Sequence, residues 1–290
     1  MEEDQKMEVK KISVLGAGTI GYQIAQLAAQ HGHEVSLRDM DDGILDDAAQ
    51  KIKVGLKKFF VDKGKMNQDQ ADQVCARLRF TTDLSEAVKD ADLVIESIPE
   101  DMALKKQVFK ELDNICSPHT ILASNTSALS ITEIASLTKR QDKVGGMHFA
   151  NPVSLLKFCE IIRGFNTSEE TMNIMKDLAQ EWERDIVVIK DAPGQSGRLM
   201  CVLINEAVRM IAEGVCTPED IDKITKTALG HRWGLMEVAD LTLEVPYHGL
   251  CYLQQEYGER YAPHPLLKQM IMAGRLGKKS GRGFYDYTKK

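Results

Sequence analysis

His148 and Glu160 are the two residues of this sequence best suited by type to move a proton together. Taking a hydride from an alcohol carbon requires a base for the hydroxyl proton, and imidazole, which titrates near neutral pH, suits that task. His148 follows a β-rich run and precedes Asn151-Pro152, so a turn facing a cleft is predicted for it. Glu160 comes twelve residues later in an apolar run, FCEII, where a carboxylate is costly to bury alone. A hydrogen bond to the imidazole would offset that cost and fix the tautomer. The residues by themselves equally allow a histidine that closes a strand and a glutamate at a sheet edge.

A second chemical signal is Gly16-Ala17-Gly18-Thr19-Ile20-Gly21, a GxGxxG sequence between a β-rich run, KISVL, and an apolar helical pattern. There Gly16 permits a tight turn, Gly18 lets a pyrophosphate approach the backbone, and Gly21 lets the helix pack on the strand. The N–H groups at the helix start, around Thr19 and Ile20, then face the phosphates. Asp39 ends the next strand, EVSLRD, 23 residues after Gly16, where a carboxylate accepts from a ribose diol and repels a 2′-phosphate. NAD is therefore expected rather than NADP, with Arg38 the one neighbour that would tolerate the extra phosphate.

Holding these residues in place requires a sheet. Strand, glycine turn, helix and strand within about 30 residues make a βαβ unit, so the N-terminal part is predicted to be an α/β, Rossmann-type doubly wound sheet. The stretch from Asp41 to Arg79 is helical and lysine-rich and reads as an inserted helical hairpin. Further strands are predicted at 92–96, 120–123, 143–147, 158–162 and 186–189. After Asp191-Ala-Pro-Gly the β pattern stops, and an all-α remainder is expected, with helix starts at Thr217-Pro-Glu-Asp and Pro263-His-Pro. The expected domains are 1–192, binding NAD, and 193–290, a helical domain for substrate and dimerisation.

Composition narrows the alternatives. With 290 residues, 43% apolar and 28% charged, the chain is long enough for two cores, and no apolar run approaches a membrane span. A net charge of −6 without a long basic run argues against nucleic acid as a partner. The opening MEEDQKMEVK lacks the basic start and apolar stretch of a secretory signal and reads as a disordered lead-in, so the cytoplasm is expected. Six scattered cysteines form no CxxC pair, which implies reduced thiols and no metal.

From Lys10 to Tyr287 the chain resembles the 3-hydroxyacyl-CoA dehydrogenases, through GAGTIG, DLVIESIPED, ASNTSALSI, HFANP with its distant glutamate, EGVCTPEDID, GLMEVADL and GKKSGRGFYDY. The resemblance implies that His148 is the base, that Glu160 orients it, and that Ser127 hydrogen-bonds the substrate oxygen. It also implies that Glu100, Lys105, Ser127, Asn151 and Lys279 line the NAD site beside Asp39, and that the chain is a homodimer. The implied reaction moves a hydride between C4 of the nicotinamide and C3 of a 3-hydroxy or 3-keto acyl-CoA.

The chain departs from that family at the domain junction. Where the family reads PGFxxNR, this sequence has Pro193-Gly194-Gln195-Ser196-Gly197-Arg198. Either Arg198 takes the place of the asparagine, or a one-residue deletion removes that place. Arginine there would neutralise a substrate carboxylate or an oxyanion, or turn outward and leave the gap to water. Trp233 stands in the turn where the family has PMGP, to reshape an acyl pocket or to pack a helix end. Lys58, with Lys51, Lys53, Lys57, Lys63 and Lys65, would meet the phosphates of CoA or form a solvated face. Two other readings remain: a dehydrogenase of a free hydroxy acid, sugar acid or carnitine-like substrate, and a nucleotide-binding structural protein with weak catalysis.

Overall fold

Strands that are apolar along their whole length need both faces covered, and the central strands of this chain are buried on both sides. The structure, a computed structural model, describes residues 8–288; Met1 to Met7 of the acidic lead-in lie outside the described residues. The chain divides into two compact units between Asp191 and Ala192.

Among the described residues the first unit carries eight strands: β1 (Lys11–Leu15), β2 (Glu34–Arg38), β3 (Leu78–Thr81), β4 (Leu93–Glu96), β5 (Ile121–Ser124), β6 (Val144–Phe149), β7 (Phe158–Arg163) and β8 (Asp185–Lys190). They form one sheet in the order β3-β2-β1-β4-β5-β6-β7-β8. Every neighbouring pair is parallel except β6 and β7. The first six strands follow the doubly wound nucleotide-binding order, whose crevice opens beyond the C-terminal strand ends.

Seven helices accompany the sheet: α1 (Gly21–Gln30), α2 (Asp42–Leu56), α3 (Gln68–Ala76), α4 (Leu84–Val88), α5 (Met102–Ile115), α6 (Ile131–Ala135) and α7 (Glu169–Glu181). Side chains alternate along a strand, and the core divides accordingly. Ile121 and Ala123 join Ile24, Leu37, Met175 and Trp182 in one cluster, whereas Leu122 between them joins Phe109, Leu112 and Ile131 in the other.

The lysine-rich insertion is a helical hairpin, as its sequence suggests. Asp41 caps α2 by accepting from the Ile44 N–H, a five-residue π-helix (Lys57–Val61) follows, and Asn67 and Gln70 cap α3 reciprocally. The helical reading to Arg79 overran, because Leu78–Thr81 is the edge strand β3. Four partly exposed residues carry little alternation, and pairing with β2 decides their conformation.

The second unit is helical: α8 (Gly197–Ala212), α9 (Pro218–Thr227), α10 (Leu235–Ala239), α11 (Glu244–Tyr257) and α12 (Pro265–Met272). Its core is built from Ile204, Val208, Met236, Leu243, Leu250 and Leu267. Two buried aspartates bind the C-terminal tail to it. Asp240 accepts the N–H groups of Phe284 and Tyr285, both at 2.9 Å, and Asp222 accepts the Tyr285 hydroxyl at 2.6 Å. The phenol of Tyr285 is held well above its ordinary titration range, first by burial and then by that carboxylate.

Candidate active site

His148 and Glu160 are opposed residues of the one antiparallel strand pair. Side chains directly across such a pair share a face and lie close enough to bond, so register alone converts their spacing into contact. His148 Nδ1 lies 2.6 Å from Glu160 Oε2. Glu160 is fully buried and His148 is one-fifth exposed, leaving the imidazole open on its far side. A carboxylate accepts, so Nδ1 carries a proton, and in the neutral ring Nε2 is the nitrogen with the free lone pair. His148 lies within β6 rather than on a turn, because β6 extends to Phe149, beyond its predicted end.

The turn after β1 has the shape of a pyrophosphate cradle. A Cβ on Gly21 would fall 1.8 Å from the Gly16 carbonyl oxygen, so only glycine lets α1 start there. A Cβ on Gly18 would meet nothing within 4 Å. The fold does not need glycine at that position, but a ligand lying on the backbone does. No side chain caps α1, and among the described residues the N–H groups of Gly18, Thr19 and Ile20 have no protein acceptor. Asp39 accepts from the N–H groups of Ala17 and Met40, both at 2.7 Å, which aims its carboxylate at the turn. Arg38 spends its Nε on the Thr82 carbonyl. These features fit NAD.

Behind the ends of β4 and β5 lies a charged network whose centre sequence reasoning missed. Glu96 is fully buried; its Oε1 takes the Lys105 ammonium at 2.6 Å and the Ile98 N–H at 2.7 Å, and its Oε2 takes the Ser124 hydroxyl at 2.6 Å. Lys105, 1% exposed, also reaches Glu100 Oε2 at 3.3 Å. Glu100 in turn accepts from the Thr126 hydroxyl and, at 3.1 Å, from the Ser127 N–H. Lys105 therefore supports the loop that carries Ser127, whose own hydroxyl is exposed and has no partner among the described residues. A charge ending the apolar run DLVIE was the available signal for Glu96, since such a group survives burial only when paired.

Two amides complete the first-unit site. Asn125 accepts from the Phe149 N–H at 2.9 Å and donates to Ser97 Oγ at 3.2 Å, tying the Ser127 loop to the strand end that carries His148. Gln23 on α1 bonds Thr19, Asn151 and Val153. A polar residue on a helix gives no sequence signal of such a bridge.

Of the remaining expected residues, Lys58 lies in the helical insertion and the others in the second unit. Lys58, in the π-helix, is exposed with its ammonium over the Phe59 ring. In the second unit, Arg198 places its guanidinium over Tyr257, 5.1 Å from the ring centroid. Trp233 is 45% exposed and stacked by Arg232. Lys279 pairs with Glu244 at 3.0 Å. Asn205 is buried and bonds the Ala262 carbonyl and the His264 N–H.

Comparison with known proteins gives a consistent answer. Residues 11–192 match the family described as 3-hydroxyacyl-CoA dehydrogenase, NAD binding domain, and residues 196–287 match the corresponding C-terminal domain. The chain is 44% identical over 287 residues to a probable 3-hydroxybutyryl-CoA dehydrogenase of Bacillus subtilis, covering 98% of this chain and 99% of that one. It is 35% identical over 292 residues to the human mitochondrial hydroxyacyl-coenzyme A dehydrogenase, covering 98% and 93%. The crystal structure of a (S)-3-hydroxybutyryl-CoA dehydrogenase from Ralstonia eutropha matches with a TM-score of 0.93 at 34% identity, covering 97% of this chain and all of that one.

Proposed function

Because the chain belongs to the 3-hydroxyacyl-CoA dehydrogenase family of NAD-dependent oxidoreductases, we propose that it interconverts a short 3-hydroxyacyl-CoA and its 3-keto form, with His148 carrying the proton. The 2.6 Å contact between His148 Nδ1 and the buried Glu160 supports this reading most directly. NAD, when bound, accepts or supplies the hydride. His148 Nε2 takes the hydroxyl proton in the oxidative direction, and Glu160 stabilises the imidazolium that results. Ser127 donates its exposed hydroxyl to the developing alkoxide.

The turn of Gly16, Gly18, Thr19, Ile20 and Gly21 holds the pyrophosphate and Asp39 the adenosine ribose, while Glu100 and Asn151 meet the nicotinamide half. Lys105 acts through Glu100 rather than by touching the cofactor, since its ammonium is already engaged. For the CoA moiety, a cavity of about 340 Å³ between α1 and α2 is lined by Tyr22, Val54, Phe59 and Phe60 together with Lys51 and Lys58, a mixture suited to a phosphorylated, partly apolar group. Residues 193–290 serve as the substrate and dimerisation domain, supported by the exposed apolar residues Leu199, Leu229, Leu241 and Val245. The unpaired cysteines fit the cytoplasm.

Arg198, stacked on Tyr257, is the one feature that favours a free carboxylate substrate instead. The test is NADH oxidation with acetoacetyl-CoA, longer 3-ketoacyl-CoAs and acetoacetate. Turnover of the thioesters is expected. Turnover of free keto acids alone rejects the acyl-CoA reading, and NADH binding without any turnover favours a structural nucleotide-binding protein.

A further inference from the structure

We infer that Gln23 is a positioning residue that fixes which end of the Asn151 amide is presented to the cofactor. The inference rests on the reading that Asn151 meets NAD, and it adds the chemistry that Asn151 offers there. A carboxamide has a donor end and an acceptor end of nearly equal shape, so its orientation follows from partners whose roles are fixed. Gln23 has two such partners. The backbone N–H of Val153 can only donate, and it lies 2.9 Å from Gln23 Oε1. The backbone carbonyl of Thr19 can only accept, and it lies 2.6 Å from Gln23 Nε2. Each partner independently demands the same orientation.

The second N–H of Gln23 Nε2 then faces the side chain of Asn151, 3.2 Å from Oδ1. A donor on this side requires the oxygen of Asn151, so the oxygen is spent on Gln23 and Nδ2 is turned away. Asn151 is exposed and has no other side-chain hydrogen bond among the described residues. Its Nδ2 is thus left to donate to an acceptor on the ligand, a carbonyl or ribose oxygen rather than an N–H group. Gln23 also spans two parts of the site, because Thr19 belongs to the phosphate turn and Asn151 and Val153 to the loop that leaves His148.

The experiment compares Gln23→Glu, Gln23→Leu, Asn151→Ala, Asn151→Asp and the double variant Gln23→Leu/Asn151→Asp by NADH fluorescence titration, thermal unfolding and steady-state kinetics. Gln23→Glu keeps the acceptor for Val153, removes the donor to both Thr19 and Asn151, and forces Asn151 to turn its NH2 inward. We expect it to weaken NADH binding about 10-fold, which corresponds to one lost hydrogen bond of about 1.4 kcal/mol. The thermal midpoint falls by a few degrees, because the Thr19 bond is lost as well, so the role of Asn151 is read from the coupling between Gln23→Leu and Asn151→Asp and not from the midpoint. Gln23→Leu should weaken NADH binding in the natural chain and have little further effect once residue 151 is Asp, because an acceptor already faces the ligand there. Additive effects of the two substitutions, or unchanged NADH affinity in both Gln23 variants, overturn the inference. Unchanged affinity in Asn151→Ala overturns the placement of Asn151 itself, and the inference with it.

Discussion

Glu160 has no exposed surface, one oxygen on His148 and the other oxygen, Oε1, without a hydrogen-bond partner. A buried carboxylate left half satisfied lowers stability, and its retention is understandable where a positive charge must form beside it. A pairing was suggested by the residue types, because a glutamate inside FCEII demands a cation or donor and His148 is the titratable ring nearest it in sequence, but the same residues equally allowed a strand-closing histidine and an edge glutamate, and the strand register decides for contact. Gln23 and Asn125 were not legible, since an amide carries no charge and its bonds depend on how distant loops meet. The glycines of the phosphate turn show the same limit, with one motif serving two purposes that only the structure separates. Gly18→Ala places a methyl group in open space and should leave the thermal midpoint nearly unchanged while weakening NADH binding at least about 10-fold, by keeping the pyrophosphate off the backbone. Gly21→Ala drives a methyl group into the Gly16 carbonyl and should lower the thermal midpoint by several degrees, the effect of roughly 1–3 kcal/mol of overpacking. Titration and melting curves that rank the two variants the other way would refute this division of labour.

Among the elements, the β6–β7 pair shows how far spacing reaches. The interval from His148 to Glu160 is the register of an antiparallel pair, but the sequence cannot say that β7 and β8 run against the other six strands. The helical hairpin was readable from its long, lysine-rich helical pattern, whereas β3 was too short and too exposed to announce itself. A further link between elements joins the end of α7 to the start of β2. Trp182 donates to His33 Nε2 at 2.9 Å, His33 Nδ1 meets the Val9 carbonyl at 3.1 Å, and Trp182 also stacks on Phe149. A ring that accepts at one nitrogen and donates at the other must be neutral. Burial pushes the His33 pKa below its ordinary 6.5, against the smaller upward pull of Glu181 and of the Val9 bond. His31 shifts the same way, also chiefly by burial. The unfolded chain therefore binds more protons than the folded one between the folded value and 6.5, so this part of the stability is complete above pH 6.5 and is lost as the pH falls. We expect the thermal midpoint to decline from pH 7 to pH 5, with a shallower decline in His33→Gln. An identical slope in that variant would remove His33 as the cause.

For the whole molecule, the architecture follows from a few long patterns: a glycine turn after a strand, apolar runs buried on both faces, and the end of β character near Asp191. The second unit was less readable in its purpose. Its tail motif, GKKSGRGFYDY, is held by Asp222 and Asp240 through backbone and phenol bonds, so much of that sequence serves to close the helical unit. The residues proposed to do chemistry come chiefly from strand ends of the first unit, where loops can vary without disturbing the core. Among the described residues no helix is long and apolar enough to cross a membrane. The most direct measurement of the central claim is turnover of acetoacetyl-CoA by His148→Gln beside its NADH affinity. We expect kcat to fall by about 100-fold or more, the usual worth of a positioned acid–base group, while the NADH dissociation constant changes less than about 3-fold. A variant that keeps near-natural turnover would contradict the assignment of His148 as the proton carrier.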